Sequence, residues 1–333
     1  MAQGRIALDA MGGDDAPGAI VRGAIASLKD EEAIPAERLI LVGDQGAISE
    51  ELEQSGGNPG FEIQHAAEVV GMAEDPRRAM RAKPDNSISV AAQLVKEGRA
   101  VGLVSMGNTG MVVAASTLLL GRLPGIRMPA IAVTVGFTGH PIVIVDMGAN
   151  VDASPENLLH NGMMGSFFAQ DILGIDAPRV GLLNVGEEQE KGPKRCKDAF
   201  QLLSGTCDGF IGNVEGGGIF SSDADVIVTD GFTGNVMLKL LEQFGEFILS
   251  KVAVSAKHAG MELSDDVFGP VIRDLDYAAY GGALLLGVDG VVVIGHGKSD
   301  PRAVSNALRQ AVRAADTGIN KHIISGLEAS GIS

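Results

Sequence analysis

Short runs of Val, Ile and Leu recur along the chain, separated by longer stretches with apolar residues at three- and four-residue spacing. Ile6–Asp9, Leu39–Val42, Phe61–His65, Val101–Ser105 and Ala130–Val135 read as strands. So do Ile142–Asp146, Val180–Asn184, Gly209–Gly212, Val226–Thr229 and Val291–Ile294. Most of these runs lack polar alternation, the pattern of parallel strands covered on both faces. Between them, Ser154-Pro155-Glu156 places a cap, a first-turn proline and an acid ahead of a periodic run to Leu173. Asp300-Pro301 opens a second such run with Val304, Leu308 and Val312 on one face, and Thr233 opens a third through Met237, Leu240, Phe244, Phe247 and Val252. The alternation predicts an α/β fold: a mostly parallel wound sheet with helices on both faces. Neither an internal repeat nor a composition break divides residues 1–333, which read as one domain.

Several strands end in a polar residue followed by glycine. Asp9-Ala10-Met11-Gly12-Gly13-Asp14, Ser105 through Gly110, Asp146-Met147-Gly148-Ala149-Asn150 and Asp230 through Asn235 all follow this pattern. Ligands of wound sheets bind at such carboxyl ends, and backbone N–H groups opening a helix attract anions. Tight turns also need glycine for purely conformational reasons. Gly107-Asn108-Thr109-Gly110 and Gly231-Phe232-Thr233-Gly234-Asn235 add amides and hydroxyls, which suit phosphate. Gly295-His296-Gly297-Lys298-Ser299 is not a nucleotide loop, because the earlier glycine it would require is Val292. Lys191 closes an acidic loop after Asn184, where it is either a solvated side chain or a cation held near phosphate or an oxyanion.

Charge and absences narrow the chemistry. With 26 Lys and Arg against 42 Asp and Glu, the net charge is −16, and aromatics are only 4%, which excludes a global nucleic-acid-binding field. Against that background two basic clusters stand out: Arg77, Arg78, Arg81 and Lys83, and Lys191, Lys194, Arg195 and Lys197. Either is a solvated face or a dock for an anionic partner. Cys196 and Cys207 form no metal or redox motif, the histidines are scattered, and a Gly-x-Ser-x-Gly elbow is missing. The apolar stretches Met111 to Leu120 and Pro129 to Phe137 fall short of a membrane span, and the first strand begins at Arg5, unlike a leader peptide. These features describe a phosphate-handling enzyme without a covalent protein nucleophile.

Nine motifs occur in order: Asp9 through Asp14, Gly107 through Gly110, Gly121 through Ile126, Gly148 through Asp152, Asn184 through Glu188, Gly212 through Gly216, Asp230 through Asn235, Tyr280 through Ala283, and Gly295-His296-Gly297. This series resembles the phosphate acyltransferases of bacterial phospholipid synthesis, the PlsX family, over essentially the whole chain. The resemblance implies transfer of a long-chain acyl group from acyl carrier protein to inorganic phosphate, giving acyl phosphate for a membrane glycerol-3-phosphate acyltransferase. It also implies a cytoplasmic homodimer without metal or other cofactor. The expected architecture is that of isocitrate and isopropylmalate dehydrogenases and phosphotransacetylases, with two lobes and the site in the cleft between them.

On this reading Lys191 and Asn235 contact phosphate or the oxyanion, and His296 assists the departing thiolate. Asp9, Gly107, Asn108, Thr109, Asn150, Asp230, Thr233 and Gly234 shape the phosphate and acyl site, and Met111 to Leu120 offers a wall for the acyl tail. Arg77, Arg78, Arg81 and Lys83 receive the acidic carrier protein. The chain departs from the family pattern at Asp15, where His is expected, at Met106 and Met111, where smaller residues are usual, and at Gly217-Gly218. Family members dock peripherally on the inner face of the membrane through a segment matching Lys257 to Tyr277. Here that segment carries Glu262, Asp265, Asp266, Asp274 and Asp276, which anionic lipid repels. The rival readings are a phosphotransacetylase using acyl-coenzyme A, an isocitrate-type dehydrogenase, and a non-catalytic scaffold for lipid synthesis.

Overall fold

The uninterrupted apolar runs form strands whose side chains are almost all buried, as a sheet covered on both faces demands. The computed structural model describes residues 4–29, 32–136, 140–221, 223–258, 260 and 281–332. In chain order the strands are β1 (Ile6–Asp9), β2 (Leu39–Gly43), β3 (Glu62–His65), β4 (Gly102–Ser105), β5 (Ala130–Val135) and β6 (Ile142–Val145). They continue with β7 (Val180–Leu183), β8 (Phe210–Val214), β9 (Val226–Val228), β10 (Ala283–Leu286) and β11 (Val291–Ile294). The helices are α1 (Gly18–Ala26), α2 (Gln45–Gln54), α3 (Pro76–Ala82), α4 (Ser87–Lys96), α5 (Thr109–Ala115) and α6 (Pro155–Leu173). After them come α7 (Lys194–Thr206), α8 (Gly218–Ser221), α9 (Gly231–His258), α10 (Pro301–Thr317) and α11 (Ile319–Ala329). The chain divides into two compact units, one of Met1–Pro129 with Ala278–Ser333, the other of Ala130–Tyr277.

In the first unit the strand order is β3-β2-β1-β4-β11-β10. All neighbours are parallel except β10, which runs antiparallel to β11. The order reverses between β1 and β4, where Asp9 and Ser105 are register partners, so the crevice beyond these two residues is where a wound sheet receives ligands. In the second unit the order is β5-β6-β9-β7-β8, with β5 antiparallel to β6 and the rest parallel. Helix α6 lies tightly on this sheet because it carries glycine at the contact. A Cβ at Gly165 would come within 2.6 Å of Val226, and one at Gly162 within 3.3 Å of Val228 and 2.8 Å of Leu203 on α7.

Local signals agree with the fold where a cap or a period sets them. Helix α6 starts at the proline and ends at Leu173, with Ser154 and Asn157 exchanging side-chain-to-backbone hydrogen bonds as a capping box. The long third helix begins at Gly231, two residues before Thr233, and reaches His258. Three features differ from the pattern-based expectation. Strand β10 (Ala283–Leu286), which none of the expected strands covers, starts at the last residue of the Tyr280–Ala283 motif. The apolar runs of β5 and β6 conceal their antiparallel pairing, because burial on both faces removes alternation whatever the direction. The Met111 to Leu120 stretch is not one regular helix: α5 stops at Ala115 and Ser116–Leu120 form a π-helical turn. Its Met111, Val112 and Ala115 are fully buried, which leaves them no open acyl groove to line. Met106 is also fully buried against Gly295 and acts in packing. Tyr280 and the acidic positions from Glu262 to Asp276 lie outside the described residues. No helix among the described residues is long and apolar enough to cross a membrane.

Candidate active site

The candidate residues fall into two sets, one in each unit. In the first unit Asp9, at the end of β1, is wholly buried, and its Oδ2 accepts from Ser105 Oγ at 2.6 Å while Oδ1 accepts from Met11 N–H at 3.1 Å. Ser105 Oγ in turn accepts from Gly107 N–H at 3.0 Å. Burial pushes the Asp9 carboxyl above its ordinary range, against the pull of hydrogen bonds from Ser105 and Ser87. Gly12 makes this junction possible, since a Cβ there would stand 2.5 Å from Asp9 Oδ2 and 2.6 Å from the Gly107 nitrogen. Asp9 is therefore the tie between the β1 and β4 turns, with its oxygens engaged inside the protein.

Asn108 has a comparable part. Its Oδ1 accepts from Met111 N–H at 3.0 Å and so caps α5. Its Nδ2 donates to the carbonyls of Gly71, Met72 and Glu74 at 3.0–3.2 Å. Pro76, the first residue of α3, lies where a Cβ at Gly110 would be 2.7 Å from its Cγ. Helix α3 is thus seated directly on the start of α5. Gly107 is buried, whereas Thr109 is exposed at the helix start. His296 is half-buried in the turn after β11, and its Nδ1 accepts from Lys298 N–H at 3.2 Å.

Arg77, Arg78 and Arg81 are exposed on α3, where they line a groove of about 540 Å³ with Asp75 and Ala82. None of the three forms an ion pair among the described residues. Lys83, grouped with them in the sequence, is engaged elsewhere: its Nζ donates to Glu74 Oε1 at 2.6 Å and to the Val69 carbonyl at 2.7 Å. That ammonium holds the Glu74 carboxyl below the usual range. The free positive charge of the patch belongs to the arginines alone.

In the second unit the carboxyl ends of β6, β9 and β7 converge on one network. Asp146, just past β6, is fully buried and accepts from four backbone N–H groups: Ile131 at 2.9 Å, Gly148 at 3.0 Å, Ala149 at 2.9 Å and Asn150 at 2.7 Å. Burial raises its pKa although all four bonds act to lower it. The loop so formed receives the start of α9. Gly231 N–H donates to the Asn150 carbonyl at 2.9 Å, and a Cβ at Gly234 would collide with the Asp146 carbonyl oxygen. Asn150 Nδ2 also donates to Asn157 Oδ1 at 3.3 Å.

Asp230 organises the α9 start. Its Oδ1 accepts from Thr233 N–H at 3.0 Å, and its Oδ2 accepts from Thr233 Oγ1 at 2.9 Å and from Arg195 at 2.7 Å. Asn235, one turn into the helix, is exposed beside Gly148, and its side-chain amide makes no hydrogen bond among the described residues. Lys191 stands on the loop after β7, 49% exposed, with Nζ 3.8 Å from Glu188 Oε2. Two asparagines cinch that loop: Asn184 Nδ2 donates to the Lys191 carbonyl at 3.1 Å and Asn213 Nδ2 to the Glu188 carbonyl at 2.9 Å.

Arg195 is the residue that sequence reasoning leaves in a general basic cluster. Its neighbour Cys196 is buried and its thiol is pushed upward by burial, so it supplies no thiolate. Among the described residues there is no group of His, Cys, Asp or Glu able to hold a metal ion. Among the described residues, the second unit thus combines a capped helix start, the exposed Asn235 amide and the half-exposed Lys191 ammonium, groups able to meet an anion.

Comparison with known proteins agrees in family and fold. Residues 4–322 match the family model described as "Fatty acid synthesis protein". The chain is 44% identical over 328 residues to the phosphate acyltransferase of Desulforamulus reducens, covering 97% of each chain. Among solved structures, a phosphotransacetylase from Streptococcus pyogenes superposes with a TM-score of 0.64 at 19% identity, over 95% of each chain. A 4-hydroxythreonine-4-phosphate dehydrogenase from Klebsiella pneumoniae shares the fold with a TM-score of 0.52 at 11% identity, covering 96% of this chain and 99% of the other. With a family model spanning nearly its whole length and a near-full-length relative at this identity, the chain belongs to the phosphate acyltransferase family of acyltransferase enzymes.

Proposed function

We propose that this enzyme transfers a long-chain acyl group from acyl carrier protein to inorganic phosphate, and that the acyl phosphate serves phospholipid synthesis. The observation that carries this reading is the start of α9, where Asp230 holds Thr233 and pairs with Arg195, in the unit that also carries the half-exposed Lys191. Hydrogen phosphate is the nucleophile. One of its oxygens attacks the thioester carbonyl carbon, the tetrahedral oxyanion collapses, and the C–S bond breaks. The acyl group leaves on phosphate, and the proton of hydrogen phosphate ends on the carrier's thiol. The protein's task is to hold phosphate against its own charge repulsion and to stabilise the oxyanion. Lys191 and Asn235 serve that task through an ammonium and an amide that internal hydrogen bonds leave available, and Thr233 and Gly234 form the helix start. Asn108 and Asp9 act as positioning residues. In this reading His296 assists the movement of the phosphate proton to the departing thiolate.

The carrier protein docks on Arg77, Arg78 and Arg81. Carrier proteins of this class are acidic, and three exposed guanidinium groups without ion pairs among the described residues are complementary to them. Asn108 and Pro76 join that helix to the β4 turn, so the docking helix is held firmly within its own unit. Incubation with palmitoyl-carrier protein and labelled phosphate should yield palmitoyl phosphate by mass spectrometry. Changing all three arginines to Glu should raise KM for the carrier-linked donor about tenfold or more at unchanged kcat, an effect that high salt reproduces in the wild type. Product from palmitoyl-coenzyme A alone would instead make the enzyme a phosphotransacetylase. No product from either donor in a folded sample would leave the scaffold reading.

Two copies assemble through α9. Phe232, Val236, Leu240, Phe244 and Phe247 recur along one face of this helix and are each more than half exposed, an apolar stripe that water opposes. The expected sedimentation coefficient is that of a dimer, and the pair Leu240→Glu with Phe244→Glu should sediment as a monomer. A wild-type monomer at micromolar concentration would refute this assembly.

A further inference from the structure

At the opposite end of β4 and β11 from the glycine turns, the first unit holds a cavity of about 550 Å³. The strand rise of about 3.3 Å per residue puts it roughly 13 Å from those turns, so it is not part of the site described above. Its volume falls within the range of about 300–1,000 Å³ seen for small-molecule sites. Val95, Val101, Leu120, Val291, Ile319 and Ile324 give it aliphatic walls without an aromatic ring. Lys96 and Lys321 line it as well, and Asp289 is the one carboxylate among its lining residues.

The two lysines are free to meet a ligand. Both are exposed, and neither forms an ion pair or a side-chain hydrogen bond among the described residues. Lys321 lies in the first turn of α11, where the helix dipole already presents positive charge and no acidic residue offsets it. One carboxylate against two ammonium groups leaves the cavity with an excess of positive charge in a protein of net charge −16. Aliphatic walls beside that charge complement an anion carrying a hydrocarbon chain. A nucleotide would find no ring to stack on.

From this complementarity we infer that the cavity is a second binding site, for a free single-chain acyl anion whose head lies between Lys96 and Lys321 and whose chain lies along Val95, Leu120 and Ile324. The assignment goes beyond the proposed acyl transfer and does not depend on it, since its readout is binding and not turnover.

Titration calorimetry of the full-length protein with palmitate tests it. One palmitate should bind per chain, and Lys96→Glu combined with Lys321→Glu should weaken binding about tenfold or more, which is about 1.4 kcal/mol. Ala315→Phe, which fills the cavity from α10, should weaken it similarly at unchanged thermal unfolding. Lys191→Ala should leave palmitate affinity as in the wild type, which separates this cavity from the proposed reaction site. Absence of palmitate binding by the wild type overturns the inference. Unchanged affinity in both cavity variants overturns it too, because the chain would then lie elsewhere, as along α9. Binding of phosphatidylglycerol vesicles that requires Lys96 and Lys321, without binding of free palmitate, would make the occupant a membrane surface and overturn it as well.

Discussion

Lys191→Ala is expected to lower kcat for acyl phosphate formation by about 10²–10³-fold while shifting the unfolding free energy by less than about 1 kcal/mol. The asymmetry follows from its surroundings. Its ammonium is half-exposed, and its contact with Glu188 is a 3.8 Å surface pair, which contributes little to stability. The backbone of its loop is secured independently by Asn184 and Asn213, so truncation of the side chain leaves the loop in place. On the proposed mechanism, what disappears is a positive charge offered to phosphate or the oxyanion, where a preorganised donor has its largest effect. Arg195→Ala should behave differently. Arg195 pairs with the nearly buried Asp230, so its loss disturbs the α9 start and lowers both stability and phosphate affinity. Turnover measured beside urea unfolding checks the contrast. A Lys191→Ala enzyme with wild-type kcat, or one that loses several kcal/mol of stability, would remove Lys191 from the site.

Asp146→Ala is expected to cost about 3–5 kcal/mol of stability and to abolish measurable activity. Four backbone N–H groups converge on this carboxylate, and an alanine would leave all four short of an acceptor in a buried place. The consequence is larger than a local loss, because Gly231 and Gly234 pack against the same loop. When it relaxes, the start of α9 loses its seat and Asn235 its position over Gly148. Urea denaturation measures the first effect and acyl phosphate formation the second. A shift of the unfolding free energy below about 1 kcal/mol would show that water replaces the carboxylate and that the loop is not held as described.

Several parts of this arrangement are legible in the amino-acid order. Strands β1, β5 and β11 lie where the Val and Ile runs place them, and α6 begins and ends with its cap and its last apolar residue. The glycine turns carrying Asp9, Asn108, Asp146 and Asp230 fall at the carboxyl ends of their strands, as the strand-then-glycine pattern predicts. These features rest on interactions within a few residues, namely side-chain period, caps and turn chemistry, so they are written locally.

The uses to which those residues are put are not local. Arg195 and Asp230 are 35 positions apart and meet because β7 and β9 are neighbours in the sheet. Nothing in either segment specifies that adjacency. Asp9 and Asn108 read as ligand-facing polar groups, whereas the folded chain spends both on holding turns together, Asp9 with Ser105 and Asn108 with the 71–74 carbonyls. Lys83 reads as part of a docking patch, and Glu74 removes it from that patch by pairing. The antiparallel courses of β5 and β10 and the cavity between α4, α10 and α11 likewise depend on which elements become neighbours. By itself the amino-acid order determined the elements, their ends and the types of chemistry available at each turn. Tertiary structure decided which of those groups are consumed by the fold and which remain free for substrate, because a hydrogen bond or ion pair between distant segments forms only once strand order has brought them within reach.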